Sequence, residues 1–89
     1  MSQWSLHFSK QAEGDIAVLD LLIRKRIVEK IEWFTENFDS LIPVPLGAEW
    51  SDFFKLRVGD WRVVYRIHWA NHRIIAEYID RRDKIYKRK

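Results

Sequence analysis

The hydrophobic residues of the chain recur with two different periods. Ile23, Ile27, Ile31, Phe34 and Phe38 follow one another at three- and four-residue spacing, which places them along one face of a helix. The opposite face carries Arg24, Lys25, Glu29, Lys30, Glu32 and Glu36, of mixed sign and suited to water. Asp20 is positioned to cap this helix, and Asn37-Phe38-Asp39-Ser40 ends it. Upstream, Trp4, Leu6 and Phe8 alternate with Ser5, His7 and Ser9, the period of a short strand. Ser9 then serves as N-cap of a first helix running to about residue 19, with Ala12, Ile16 and Leu19 on its buried side and Gly14 weakening it.

Beyond residue 52 the period changes to two. Phe54, Leu56 and Val58 point one way, Lys55 and Arg57 the other. After the turn Val58-Gly59-Asp60-Trp61, the residues Trp61, Val63, Tyr65 and Ile67 oppose Arg62 and Arg66. Residues 41–52 read as a loop, because Pro43 and Pro45 forbid helix and Gly47 adds a turn; Trp50 is expected to anchor it. Ala70-Asn71-His72 makes a second turn, and a strand over 73–79 pairs by adjacency with 61–69. Residues 80–89 form a basic tail with Ile85 and Tyr86 as its apolar members. The resulting order predicts a single α+β domain over residues 1–89. Two N-terminal helices pack on one face of a small, mainly antiparallel four-stranded sheet, and the other face is left open. Lys55, Arg57, Arg62 and Arg66 all fall on that open face.

Composition supports a folded body: 47% of the 89 residues are hydrophobic and 15% aromatic, too many for a disordered chain. The absence of cysteine excludes disulfides and thiolate chemistry and suits a reducing compartment. Met1-Ser2-Gln3-Trp4-Ser5 does not open a signal peptide, and no apolar run reaches membrane-spanning length. A soluble, cytoplasmic protein with no membrane partner is therefore expected. Charge is unevenly divided. Residues 1–54 hold 5 Lys/Arg and 9 Asp/Glu, a net −4, whereas residues 55–89 hold 11 Lys/Arg and 4 Asp/Glu, a net +7. Such a field suits a polyanion or an acidic protein partner.

Candidate chemistry is narrow. Gly14, Gly47 and Gly59 are too scattered for a phosphate loop, and His7, His68 and His72 lack metal-ligand spacing. No serine sits in a nucleophile elbow, and alternation places no acidic pair on the cationic face. What remains is Lys, Arg and Tyr, with neither metal nor cofactor expected. That set can cleave RNA through its own 2′-hydroxyl, which needs a base, positive charge on the pentacoordinate phosphate and a proton for the leaving oxygen. The same residues also describe a passive nucleic-acid surface.

The run Phe54-Lys55-Leu56-Arg57-Val58-Gly59-Asp60-Trp61-Arg62-Val63-Val64-Tyr65 resembles the Y-K-L-R-x-G-x-Y-R-x-x-Y signature of the RelE/ParE toxin superfamily. Pro43-Val44-Pro45-Leu46-Gly47 resembles its P-x-x-L-x-G approach, and Asp80-Arg81-Arg82-Asp83-Lys84-Ile85-Tyr86 its closing H-R-x-x-x-Y. Within the superfamily the chain is similar to the RelE branch. That resemblance implies a metal-independent endoribonuclease cutting messenger RNA in the ribosomal A site, neutralised by a cognate antitoxin and meeting operator DNA only through the antitoxin complex. By position it implies Lys55, Arg62, Arg82 and Tyr86 as the catalytic set, with Arg62 and Arg82 as clamps and Lys55 and Tyr86 as base, stabiliser or positioning groups. Arg57, Arg66 and Arg81 are implied to bind RNA, and Trp69 either packs or stacks a base. Three departures stand out: Phe53 where some relatives carry a further lysine, Trp61 for the usual tyrosine, and Arg81 where many have histidine. A ParE-like DNA gyrase inhibitor is one alternative; an inactive module for antitoxin binding or operon repression is the other.

Overall fold

The computed structural model describes residues 3–47 and 50–84. Asp20 accepts a hydrogen bond from the Leu22 backbone N–H at 3.1 Å and starts α2 (Leu21–Glu36). On its inner face Ile27 and Ile31 are fully buried against Val58, Val63, Ala76 and Ile79; burying one such side chain contributes ~1.5–3 kcal/mol. The apolar line continues past the helix end. Phe38 lies in a single 3-10 turn (Phe38–Ser40), buried, with its ring 5.4 Å from Phe34. Ser9 caps α1 (Lys10–Ala17) by accepting from Ala12 N–H at 3.0 Å. The helix ends two residues before the expected limit, although Ile16 and Leu19 still pack on the core. Arg24 Nη2 reaches back to the Ala17 carbonyl at 3.3 Å and closes the corner between the helices.

The sheet has five strands in the order β1-β5-β4-β3-β2: β1 (Ser5–Phe8), β2 (Val44–Pro45), β3 (Phe54–Val58), β4 (Trp61–His68) and β5 (Arg73–Arg81). This corrects the expected four. The additional strand, β2, arises in the segment read as a loop, pairing Val44 with Lys55 and Pro45 with Phe54. A proline is tolerated there because β2 is the sheet's edge. β1 runs parallel to β5, with Leu6 opposite Ile74, while the other pairs are antiparallel. At the β3–β4 turn only Gly59 takes positive φ, at 60°, as the first central residue of a II′-type hairpin does. In the β4–β5 turn His72, not Asn71, adopts the left-handed conformation, with φ 51°. No helix among the described residues is long and apolar enough to cross a membrane.

Two features depart from simple alternation. First, the β4–β5 register slips by one residue: Tyr65 pairs with Ala76 but Val64 with Tyr78, so Glu77 is the extra residue of a β-bulge. α1 holds this bulge. Ser9 N–H donates to the Ala76 carbonyl (2.9 Å), Ser9 Oγ donates to the Glu77 carbonyl (2.6 Å), and Asp15 Oδ2 accepts from Ile79 N–H (2.8 Å). Second, the face away from the helices is not bare. Leu46 and Val64 form a small buried cluster there with Trp50, Phe53 and Tyr78 packed against it. Trp50 thus anchors its loop, but to the far side of the sheet. Asp80 and Arg81 belong to β5 and not to a tail.

Candidate functional site

The open face is laid out in rows that run across the strands. Arg57 on β3 lies opposite Arg62 on β4, which lies opposite Asp80 on β5. The next row is Lys55, Val64 and Tyr78. One step further along β4, Arg66 meets the bulged Glu77 (Nη1 to Oε2, 3.8 Å) on one side, and its guanidinium carbon lies 5.8 Å from the Phe53 ring centroid on the other. Strands are about 4.8 Å apart and alternate residues about 6.8 Å along a strand. Lys55, Arg57, Arg62 and Arg66 are therefore brought together on one surface only a few side chains wide. Like charges directly opposite each other, as Arg57 and Arg62 are, destabilise a sheet. Their placement is not what stability alone would select.

Arg62 is the most constrained of the four. It is half-buried, and its Nη1 is sealed from solvent with no hydrogen-bond partner. A guanidinium donor left unsatisfied in this way carries a desolvation cost that the resting fold does not repay. Lys55 is half-buried beside it, whereas Arg57 and Arg66 are exposed, with Arg57 Nε donating to the Gly59 carbonyl at 3.3 Å.

Arg82 and Arg81 are placed at the hairpin tip. Arg82 N–H donates to the Asp60 carbonyl at 2.8 Å, and the Arg82 side chain lines a surface cleft with Asp60, Arg81 and Asp83. Arg81 lies opposite Trp61, its guanidinium carbon 5.8 Å from that ring, and pairs with Asp83 at 3.9 Å. Because Trp61 packs against the helix-side core, Arg81 flanks the floor formed by the other cations and does not join it. Tyr86 lies outside the described residues. Trp69 is 60% exposed at the far end of β4, its ring held edge-on to Trp4 at 5.5 Å and tilted against Phe38 at 6.0 Å.

Two acidic residues, Glu77 and Asp80, share the open face with the cations, contrary to the expectation that no acidic pair falls there. An unbroken register from the second turn would have paired Arg62 with Ile79 and set Asp80 against Trp61. The bulge reverses both placements, returning Ile79 to the core. The apolar Ile79 falling opposite a cation was the sequence signal that one residue had to be skipped. Phe53, which stands in for a lysine of some relatives, backs Arg66 and helps build the cluster around Val64.

Two helices thus cover one face of a mixed five-stranded sheet whose other face gathers cations. The chain superposes on the toxin–antitoxin complex RelBE2 from Mycobacterium tuberculosis with a TM-score of 0.79 at 24% identity, covering 89% of this chain and 98% of that one. It superposes on the isolated Escherichia coli RelE toxin with a TM-score of 0.72 at 17% identity (94% and 92% covered). The YoeB/ParE toxin from Agrobacterium tumefaciens gives a TM-score of 0.69, also at 17% identity (91% and 98% covered). No curated protein matches the sequence. The family model for the ParE toxin of type II toxin–antitoxin systems matches residues 6–86, and the chain belongs to that family. It is a toxin of a type II toxin–antitoxin system, and the hairpin's resemblance to the RelE/ParE superfamily is borne out.

Proposed function

We propose that this toxin is a metal-independent endoribonuclease that cuts messenger RNA in the ribosomal A site and so inhibits translation. The observation that carries this reading is the row arrangement of Lys55, Arg57, Arg62 and Arg66, with the buried, unpartnered Arg62 Nη1 at its centre. In the reaction the 2′-hydroxyl loses its proton and its oxygen attacks the adjacent phosphorus. The 5′-oxygen leaves with a proton, giving a 2′,3′-cyclic phosphate and a free 5′-hydroxyl. Arg62 supplies positive charge to the pentacoordinate phosphate, where donors fixed in advance are worth most. Arg82 is the second clamp, Lys55 the base or electrostatic stabiliser, and Tyr86 the base or positioning group from the chain's end. Arg57, Arg66 and Arg81 hold the flanking strand. A cognate antitoxin in the same cytoplasm keeps the toxin silent, and operator DNA is met only through that complex. The complexed state of several similar toxins supports such a partner.

Inhibition of DNA gyrase is the second reading, favoured by the ParE name of the matching family model. One pair of assays separates the two. Purified toxin added to a translation extract is expected to leave messenger cut within stalled ribosomes and gyrase supercoiling untouched. Intact messenger with inhibited supercoiling would reject the nuclease reading.

A further inference from the structure

Glu77 is one of two carboxylates, with Asp80, on a surface that gathers cations suited to phosphate. A negative charge there weakens attraction for an RNA backbone, and a half-exposed ion pair with Arg66 offers little stability in return. Yet Glu77 is the extra residue of the β5 bulge, and Ser9 and Asp15 of α1 fasten the strand around it. We propose that the Arg66–Glu77 pair reads a guanine base of the RNA strand that crosses the open face. The inference rests on the reading of that face as an RNA-binding floor and adds a base preference to it.

The argument is one of matching donors and acceptors. A guanidinium only donates and an ionised carboxylate only accepts. At 3.8 Å the two groups are farther apart than a charge-assisted hydrogen bond of about 2.8 Å requires. Neither saturates the other, and their side chains are 45% and 24% exposed. Side by side they present donor then acceptor to an incoming base edge. Guanine offers the complement: O6 accepts from Arg66, while N1–H and the N2 amino group donate to the two oxygens of Glu77. Uracil can place O4 and N3–H in the same way but turns O2 toward the carboxylate. Adenine and cytosine present the reversed order. Unpaired RNA bases are commonly read along such edges. Phe53, with its ring beside the Arg66 guanidinium, limits how that group can turn.

Binding of fluorescent oligoadenylates carrying a single guanosine, inosine or uridine tests the proposal with the full chain. The guanosine oligomer is expected to bind about tenfold more tightly than the all-adenosine parent, on the scale of one bidentate base contact. Inosine, lacking the N2 amino group, should fall between them. Glu77→Gln is expected to erase the guanosine advantage, while Glu13→Gln on the exposed face of α1 keeps it. Equal affinity for guanosine and adenosine oligomers, or an advantage that survives Glu77→Gln, overturns the proposal. Cleavage maps on ribosomes separate its failure from that of the nuclease reading. Guanine-blind binding with cleavage intact removes only the base preference. Guanine-selective binding that Glu77→Gln abolishes, with no cleavage, supports the preference and rejects the nuclease.

Discussion

At Arg62 stability and chemistry pull in opposite directions. Its guanidinium lies across from Arg57, and one of its nitrogens is buried without a partner. Each circumstance costs free energy in the resting protein. Arg62→Met keeps the packing of the aliphatic stem and removes the buried charge. It is expected to leave the melting temperature unchanged or raised, while messenger cleavage falls at least about a hundredfold, as when a fixed oxyanion donor is lost. Tyr65 presents a related cost without the function. It is 2% exposed, edge-on to Phe34 and stacked on Phe54, and its hydroxyl has no partner. Burial raises its phenol well above the usual value of 10.0. The folded state then keeps the proton that the unfolded chain releases, so this group's contribution is intact below about pH 10 and declines as the pH rises above it. In that window the wild type should lose up to about 1.4 kcal/mol of stability per pH unit from Tyr65 alone. Tyr65→Phe should lack that slope, and at neutral pH be equal to or up to about 1 kcal/mol more stable than wild type. Denaturant melts at several alkaline pH values read both effects.

At the scale of elements the bulge in β5 organises the site, and a single serine links it to the helices. Ser9 Oγ accepts from Ala12 N–H to cap α1 and donates to the Glu77 carbonyl to hold the bulge. Ser9→Ala should therefore cost about 1–2 kcal/mol, at or above the usual loss of a cap, seen as a lower denaturation midpoint with an unchanged m-value. How much of this was legible in the sequence follows from what fixes each element. α2 and the hairpin could be read because Ile27, Ile31, Leu56 and Val63 obey one period against one core, and Gly59 marks the turn. β2 could not, because two residues carry no period, and a proline at an edge is indistinguishable from a proline in a loop. The bulge escaped for the opposite reason. Period-two reading assumes an unbroken register, and only the cross-strand conflict between Ile79 and Arg62 reveals the skipped residue. Without the skipped residue Asp80 falls on the helix side with Trp61, so no acidic pair is expected on the cationic face.

At the scale of the whole molecule, the helical side carries charge of mixed sign while the open face gathers cations. α2 turns Glu29, Glu32 and Glu36 to water together with Lys25, Arg26 and Lys30, while β3 and β4 turn their four cations to the other side of the sheet. That contrast was legible, since it needs only the helical period of α2 and the alternation of β3 and β4. The placement of Arg82 at the hairpin tip was not, since it rests on a backbone bond to Asp60 that no local pattern announces. An RNA strand on the open face should displace counterions in proportion to the phosphates it gives up to cations. For single strands each neutralised phosphate contributes about −0.7 to the slope of log affinity against log salt. Lys55, Arg57, Arg62 and Arg66 acting together thus predict a slope of about −3. Replacing Arg57 by Gln should weaken binding to all sequences alike and flatten the slope by about 0.7. Replacing Glu77 by Gln should instead change which sequence binds best, with the slope equal or slightly steeper, because the carboxylate neutralises no phosphate. A slope near zero would mean that RNA is not held through its backbone, and the open face would then have to be reinterpreted as a surface for protein.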